Sequence, residues 1–186
     1  MAIKYEIRLS GSGGQGIILA SIIIAEAAVL NGFYTIQSQA YGPEARGGIC
    51  KAEVIISDNK IWFQKVINPN FLLALTQQSL QKFSKNMAED SIILMDNSLT
   101  VPDGLVCKQI IRMPILDTAC TKVGKANTAN IVAVSAINSI LKLFPEDILE
   151  RATIKHVPKG TESLNIFALN EGKKLIEQAR IMTSIL

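Results

Sequence analysis

The chain has 186 residues, 48% of them apolar and 19% charged, with a formal net charge of +3. This length holds about one domain with a substantial core, and the apolar balance points to a surface covered by a partner, ahead of a well-filled core of buried parallel strands. The 19 Lys and Arg residues are scattered, which argues against nucleic acid, and the most apolar run, Ile17 to Leu30, is too short for a bilayer and contains Glu26.

Met1 to Arg8 carries no signal-peptide core, so a cytoplasmic location is expected. Within it Ile3, Tyr5 and Ile7, and then Leu9, alternate with more polar neighbours as a strand does. Gly11-Ser12-Gly13-Gly14-Gln15-Gly16 breaks that pattern. A helix is predicted from about Gln15 to Asn31, kept slim by Ala20, Ala25 and Ala27, with Gly32 in the stop position. A second strand, Tyr34 to Gln39, completes a βαβ unit.

Tyr41-Gly42-Pro43-Glu44-Ala45-Arg46-Gly47-Gly48 is a run of turn residues. Beyond it Cys50, Ala52, Val54 and Ile56 alternate with Lys51 and Glu53, and the strand is expected to end at Ser57. Asp58-Asn59 then reads as a turn into a strand at Lys60 to Phe63, which predicts a hairpin and hence a mixed sheet. Asn68-Pro69 reads as a helix start leading into Phe71 to Lys85. Short strands are expected at Ile92 to Met95 and Leu105 to Ile110. Asn127 or Thr128 is placed as the cap of an apolar helix running to about Phe144. A short helix covers Pro145 to Ala152, and Thr161 to Arg180 contains the closing one. With no repeat and no domain boundary, the expectation is a single α/β domain over residues 1–186, three layers α/β/α with a mixed, mainly parallel sheet.

Gly11, Gly13 and Gly16 satisfy the dinucleotide fingerprint between a strand and a helix, where free N–H groups attract phosphate. That fingerprint also needs an acidic residue at the end of the second strand to hold ribose hydroxyls. Gln37-Ser38-Gln39-Ala40 offers none, and Ile17 stands where a Walker loop would need its lysine, so a nicotinamide cofactor is not expected. The glycines serve equally well to let the first helix pack closely on the sheet. Cys50, Cys107 and Cys120 have no cluster or metal spacing and read as reduced thiols. His156 has no nucleophile partner in sequence and reads as a surface loop residue before Pro158.

Taken together these motifs are more specific than any one of them. Gly11-Ser12-Gly13-Gly14-Gln15-Gly16, with Ala20 one turn later, resembles the G-x-G-G-Q-G opening of the γ domain of the 2-oxoacid:ferredoxin oxidoreductases. Tyr41 to Gly48 resembles that family's Y-G-x-E-x-R-G-G loop. Ala126-Asn127 with Asn130, and Asn165-Ile166-Phe167-Ala168-Leu169-Asn170-Glu171-Gly172, resemble its last two helical signatures. The likeness runs from Ile7 to about Ile176. It departs at Asn70, where the family often has an acidic residue.

The resemblance implies a γ subunit in an assembly that oxidatively decarboxylates a 2-oxoacid, 2-oxoglutarate being preferred, to an acyl-CoA. Electrons pass to ferredoxin or flavodoxin. It implies α and β subunits that bind the thiamine pyrimidine and diphosphate, and a ferredoxin-like δ subunit. Thiamine diphosphate, Mg, iron–sulfur clusters and CoA would belong to the complex, with none held by this chain alone, which lacks a G-D-G run and a C-x-x-C-x-x-C. No catalytic residue is assigned, and the isolated chain is expected to be inactive.

Two loops are the candidate sites. Gly11, Gly13, Gly14, Gln15 and Gly16 are the candidate cofactor-facing residues. Tyr41, Gly42, Pro43, Glu44, Arg46, Gly47 and Gly48 form a stiff loop suited to docking on a partner or facing CoA. The plain alternative is a Glu44–Arg46 pair bracing its own loop. Lys122-Val123-Gly124-Lys125 could attract a phosphate beside the next helix, although solvated lysines are the preferred reading. A different class also stands: an independent nucleotide-binding α/β protein with its own redox or transferase activity.

Overall fold

The computed structural model describes residues 4–41 and 48–183. In chain order these form β1 (Lys4–Ser12), α1 (Ile17–Leu30), β2 (Tyr34–Tyr41), β3 (Ile49–Ser57), β4 (Phe71–Ala74), α2 (Gln77–Phe83), β5 (Ile92–Asp96) and β6 (Gln109–Met113). Then follow α3 (Ile115–Asp117), a π-helical turn at Thr118–Lys122, a 3-10 turn at Ala126–Thr128, α4 (Ala129–Leu141), α5 (Glu146–His156) and α6 (Glu162–Thr183). The six strands lie in the order β2-β3-β1-β4-β5-β6. β1, β4, β5 and β6 run parallel, and β3 is antiparallel to both β1 and β2. The sheet is therefore mixed and mainly parallel, as expected.

Strand alternation sends Ile7, Leu9, Val54, Phe71, Leu73 and Leu94 to one face, where they meet α1, α4, α5 and α6 in the larger core. On the other face Leu72, Ala74, Ile93 and Met95 meet Leu80 of α2 in a smaller one. Three layers result, one of them thin.

Several expectations need correcting. β1 and β2 are parallel but not adjacent, because β3 is inserted between them. β3 pairs with β2 and β1, and Lys60–Phe63 is not a strand. The hairpin expected across Asp58-Asn59 is therefore not formed, and Trp62 is 88% exposed. Phe71–Ala74 is a fully buried strand rather than a helix. A short apolar run does not distinguish the two, and here the parallel neighbours β1 and β5 decide it. Asn70 is a strand clasp: its Oδ1 accepts from the Glu6 N–H at 2.9 Å and its Nδ2 donates to the Lys4 carbonyl at 3.2 Å. The helix begins after Thr76, whose hydroxyl accepts from the Ser79 N–H at 3.3 Å.

The sixth strand starts at Gln109, four residues later than the expected Leu105. Neither Asn127 nor Thr128 caps α4 with its side chain; the Thr128 hydroxyl instead donates to the Lys125 carbonyl at 2.7 Å. His156 ends α5 rather than sitting in a loop.

Candidate functional site: the glycine loop and its cleft

β1 continues through Gly11 and Ser12, so the turn is confined to Gly13–Gly16. Left-handed backbone falls at Gly14 (φ 94°) and at Gly16 (φ 71°), the residue preceding α1. Much of the loop's hydrogen-bonding capacity is used internally. The Gln15 Oε1 accepts from the Ser12 N–H at 2.8 Å, the Gln15 N–H donates to the Ser12 carbonyl at 3.2 Å, and the Gly13 N–H donates to the Gly48 carbonyl at 2.9 Å. Gln15 is thus a brace for the turn, a role its place in a glycine motif did not reveal.

Two glycines are explained by packing. A Cβ on Gly11 would meet Gln15 Oε1 at 2.4 Å and Ile17 Cδ1 at 3.0 Å. At Gly16 it would lie 2.3 Å from Asn130 Nδ2. That amide donates to the Gly16 carbonyl at 3.2 Å, and Asn130 is buried. Asn130 therefore holds the start of α1 against the start of α4. Sequence reading had it only as one letter of a signature.

The strand ends that flank residues 42–47 lie beside the glycine motif. Ser12 pairs with Ile49, Gly11 with Cys50, and Tyr41 with Cys50 from the other side. Both ends of the loop therefore emerge at the end of the sheet that carries the glycine turn. Gly42, Pro43, Glu44, Arg46 and Gly47 lie outside the described residues.

Behind the glycine turn is a cleft of about 240 Å³ lined by Gly14, Gly16, Lys125, Asn127, Asn130 and Asn165, among others. It gathers motifs that stand more than a hundred residues apart in sequence. Lys125 and Lys122 are both exposed, in keeping with the solvated reading, and Lys125 borders the cleft. Asn165 is buried and donates to the Thr161 carbonyl at 2.8 Å and the Thr161 hydroxyl at 2.9 Å. Larger hollows of about 500 and 720 Å³ lie at the far ends of α4 and α6 and along β6, with no residue of the glycine turn in either. The small cleft is the better candidate because it sits at the carboxyl ends of parallel strands, where α/β sheets place ligands.

The dinucleotide reading weakens further on topology. The insertion of β3 sets the end of β2 two strand spacings from β1, roughly 10 Å, instead of beside it. Among the described residues no three His, Cys, Asp or Glu side chains come together to hold a metal. Burial pushes the Cys50 and Cys107 thiols up, which favours their protonated form. Asp96, a buried carboxylate at the end of β5, is consumed by the N–H groups of Ser98 at 3.0 Å and Leu116 at 2.8 Å.

Glu26 on α1 accepts from Lys155 Nζ at 2.7 Å and lies 3.3 Å from His156 Nε2. Lys155 foremost, with His156, holds the Glu26 carboxyl below its ordinary value against a partial desolvation. This cluster ties α1 to α5, and none of its three side chains lines the cleft.

Residues 6–175 match the family described as pyruvate ferredoxin/flavodoxin oxidoreductase. The 2-oxoglutarate synthase subunit KorC of Methanocaldococcus jannaschii is 38% identical over 95% of this chain and 96% of its own. The subunit of the same name from Methanothermobacter marburgensis is 37% identical over 96% of this chain and 100% of its own. Among solved structures, the keto/oxoacid ferredoxin oxidoreductase γ subunit of Geobacter sulfurreducens superposes with a TM-score of 0.84 at 38% identity, covering 95% of this chain and 98% of that one.

Proposed function

The chain belongs to the pyruvate ferredoxin/flavodoxin oxidoreductase family, and from that membership we propose that it is the γ subunit of a multi-subunit 2-oxoglutarate:ferredoxin oxidoreductase. The observation that carries the reading is full-length similarity, at 37–38% identity, to subunits named for 2-oxoglutarate synthase. The complex would convert 2-oxoglutarate and CoA to the acyl-CoA and CO₂, passing two electrons singly to ferredoxin. Residues 1–186 act as one γ-type domain in the cytoplasm. Thiamine diphosphate, magnesium and iron–sulfur clusters are assigned to the α, β and ferredoxin-like δ subunits of that complex, on the strength of the family membership.

This chain's own part is to present a rigid end. Gln15, Asn130 and the Gly13–Gly48 bond fix the glycine turn and the base of the Tyr41–Gly48 loop. In the proposal, that loop docks on a partner or faces CoA through Arg46, whose planar guanidinium pairs with a carboxylate or phosphate in a way Lys does not reproduce. The independent nucleotide-binding reading is not favoured, given the internal hydrogen bonding of the turn and the displaced end of β2.

Affinity capture of the tagged chain at native expression is expected to recover the other subunits in equal amounts, with CoA-dependent acceptor reduction on 2-oxoglutarate. CoA-dependent turnover by the isolated chain, or a captured complex that uses pyruvate and ignores 2-oxoglutarate, would overturn it. Arg46→Ala is expected to leave the isolated chain's Tm nearly unchanged. It should weaken assembly or the CoA-dependent rate by roughly 2–5 kcal/mol if the pair is desolvated, with little rescue by Arg46→Lys. A destabilised chain that assembles and turns over normally would mean that Arg46 only braces its loop. Calorimetric titration with NAD(H) or NADP(H) is expected to show nothing as tight as micromolar, about −8 kcal/mol.

A further inference from the structure

The two edges of the sheet are finished differently. β6 carries Arg112, whose guanidinium turns back onto the carbonyls of Asn97 at 2.8 Å and Leu99 at 3.0 Å. β2, the other edge, is eight residues long and reads Tyr34-Thr35-Ile36-Gln37-Ser38-Gln39-Ala40-Tyr41, with no charge and no proline. Among the described residues nothing pairs with its outer side. Proteins ordinarily guard an open edge with charge, proline, a bulge or a covering element, because a bare one recruits another strand.

A second feature lies on the same side. α1 has a single charged residue, Glu26, in its 14. Ile17, Ala20, Ser21, Ile24, Ala27 and Ala28 face the sheet and core. On the flank beside them Ile18, Ile22, Ala25 and Val29 recur at helical spacing; Ile18 and Ala25 also touch the core, the first three are half-buried and Val29 is 57% exposed. A soluble surface helix would carry polar groups there. The Gln37 Nε2 donates to the Ser21 Oγ at 3.0 Å, which fixes the middle of β2 beside the middle of α1. Val29, Leu30 and Tyr34 extend the exposed apolar surface at one end.

We propose that this β2–α1 edge is an isologous interface at which two copies of the chain join. A two-fold axis perpendicular to the sheet, passing between Gln37 and Ser38, makes β2 antiparallel to its own copy and extends the sheet to twelve strands. The same rotation keeps both α1 helices on one face. With α1 lying over β2 and β3, the two helices stand about two strand spacings apart, ~10 Å, the distance at which helices pack. One operation thus satisfies both the bare hydrogen-bonding edge and the uncharged stripe. The lack of charge on either means that self-pairing sets no like charges against each other, the condition an isologous contact must meet. Because Ser21 marks the strand centre, Ile22 faces Ile22 of the second copy across the axis.

Sedimentation equilibrium of the full chain is the test. The wild type is expected to be mostly dimeric at about 10 μM, as a micromolar constant would make it. Ile22→Lys and Ile22→Glu, each placing like charges across the axis, should each raise the dimer dissociation constant about 100-fold or more. Mixing the two should restore dimers. Ser38→Arg, on the opposite face of the strand centre, should act like Ile22→Lys. Circular dichroism checks that each variant is folded. A monomeric wild type overturns the proposal, including the case in which Ile22→Lys instead blocks capture of a different subunit. Folded variants that remain dimeric overturn it as well. If the chain is obtained only within its complex, native mass spectrometry replaces sedimentation, with an even number of copies of this chain expected and a single copy overturning the pairing. None of these readouts depends on the oxoacid used.

Discussion

On one face of the sheet Ile7, Leu9, Val54 and Phe71 are covered by four helices, and no ion pair among the described residues is buried there. On the other, the same strands turn Arg8 and Glu53 inward, both buried, with Arg8 Nε 2.7 Å from Glu53 Oε1. Lys51 reaches the second carboxylate oxygen at 3.1 Å, and the Arg8 guanidinium also meets the Val66 carbonyl at 3.3 Å and lies 5.8 Å from the centre of the Phe83 ring. The difference follows from cover. Helices of 13 and 22 residues lie over the first face, whereas α2 has seven. An ion pair with its hydrogen bonds satisfied closes a region that seven residues cannot fill with carbon. Buried pairs add little net stability over apolar replacements, yet breaking one is costly because a lone charge remains.

That asymmetry makes the largest prediction. Glu53→Leu strands Arg8 with one carbonyl and one ring face, and is expected to cost about 3–5 kcal/mol by denaturant unfolding. Arg8→Met is expected to cost less, about 1–3 kcal/mol, because Lys51 still neutralises Glu53. The double replacement Arg8→Met with Glu53→Leu should recover most of the loss. A double variant as unstable as Glu53→Leu alone would show that the charges are needed for something beyond mutual neutralisation.

The helical face is tested at its tightest point. A Cβ on Gly172 of α6 would lie 2.3 Å from the Val132 carbonyl oxygen and 2.9 Å from Ser135 Cβ, both on α4. Alanine gains about 1 kcal/mol of helix propensity over glycine. Here backbone must move to admit it, and overpacking of this kind costs about 1–3 kcal/mol. Gly172→Ala is therefore expected to destabilise by about 0–2 kcal/mol net, and a more stable variant would mean that α4 and α6 separate easily.

The same contrast explains what the sequence disclosed. Alternation in β1 and β3, the glycine stop at Gly32 and the long apolar helices were legible because each is a local pattern. Phe71–Ala74 was misread because its strand identity comes from β1 and β5, far away in sequence. Insertion of β3 between β1 and β2 was invisible for the same reason. At the candidate site, the glycine turn was found at once. The partners that shape it, Asn130 and Gln15, carried no periodic or charge signal that named their roles. The cleft that joins Gly14, Lys125 and Asn165 depends on α4 and α6 reaching back across the sheet.

The smallest expected effect belongs at the rim, where the helical face does contain charge. Glu26 sits at 19% side-chain exposure between Lys155 and His156, with Lys155 62% exposed, so solvent and salt screen the contact. Glu26→Gln should cost about 0.5 kcal/mol at neutral pH, in the range of partly exposed pairs. The pH dependence is more telling than the size. Because the folded Glu26 carboxyl titrates below its ordinary value of 4.5, it binds fewer protons than the unfolded chain does as the medium acidifies. Its contribution is complete above the unfolded carboxylate range and is lost as pH falls from there through the depressed folded value. The stability difference between wild type and Glu26→Gln should accordingly stay positive near neutrality and shrink toward zero in acid. It should also shrink in high salt, whereas the cost of Glu53→Leu on the opposite face should change little with salt because that pair is buried. Equal salt sensitivity at the two sites would mean that the Arg8–Glu53 pair is as wet as the Glu26 cluster, and the contrast between the faces would collapse.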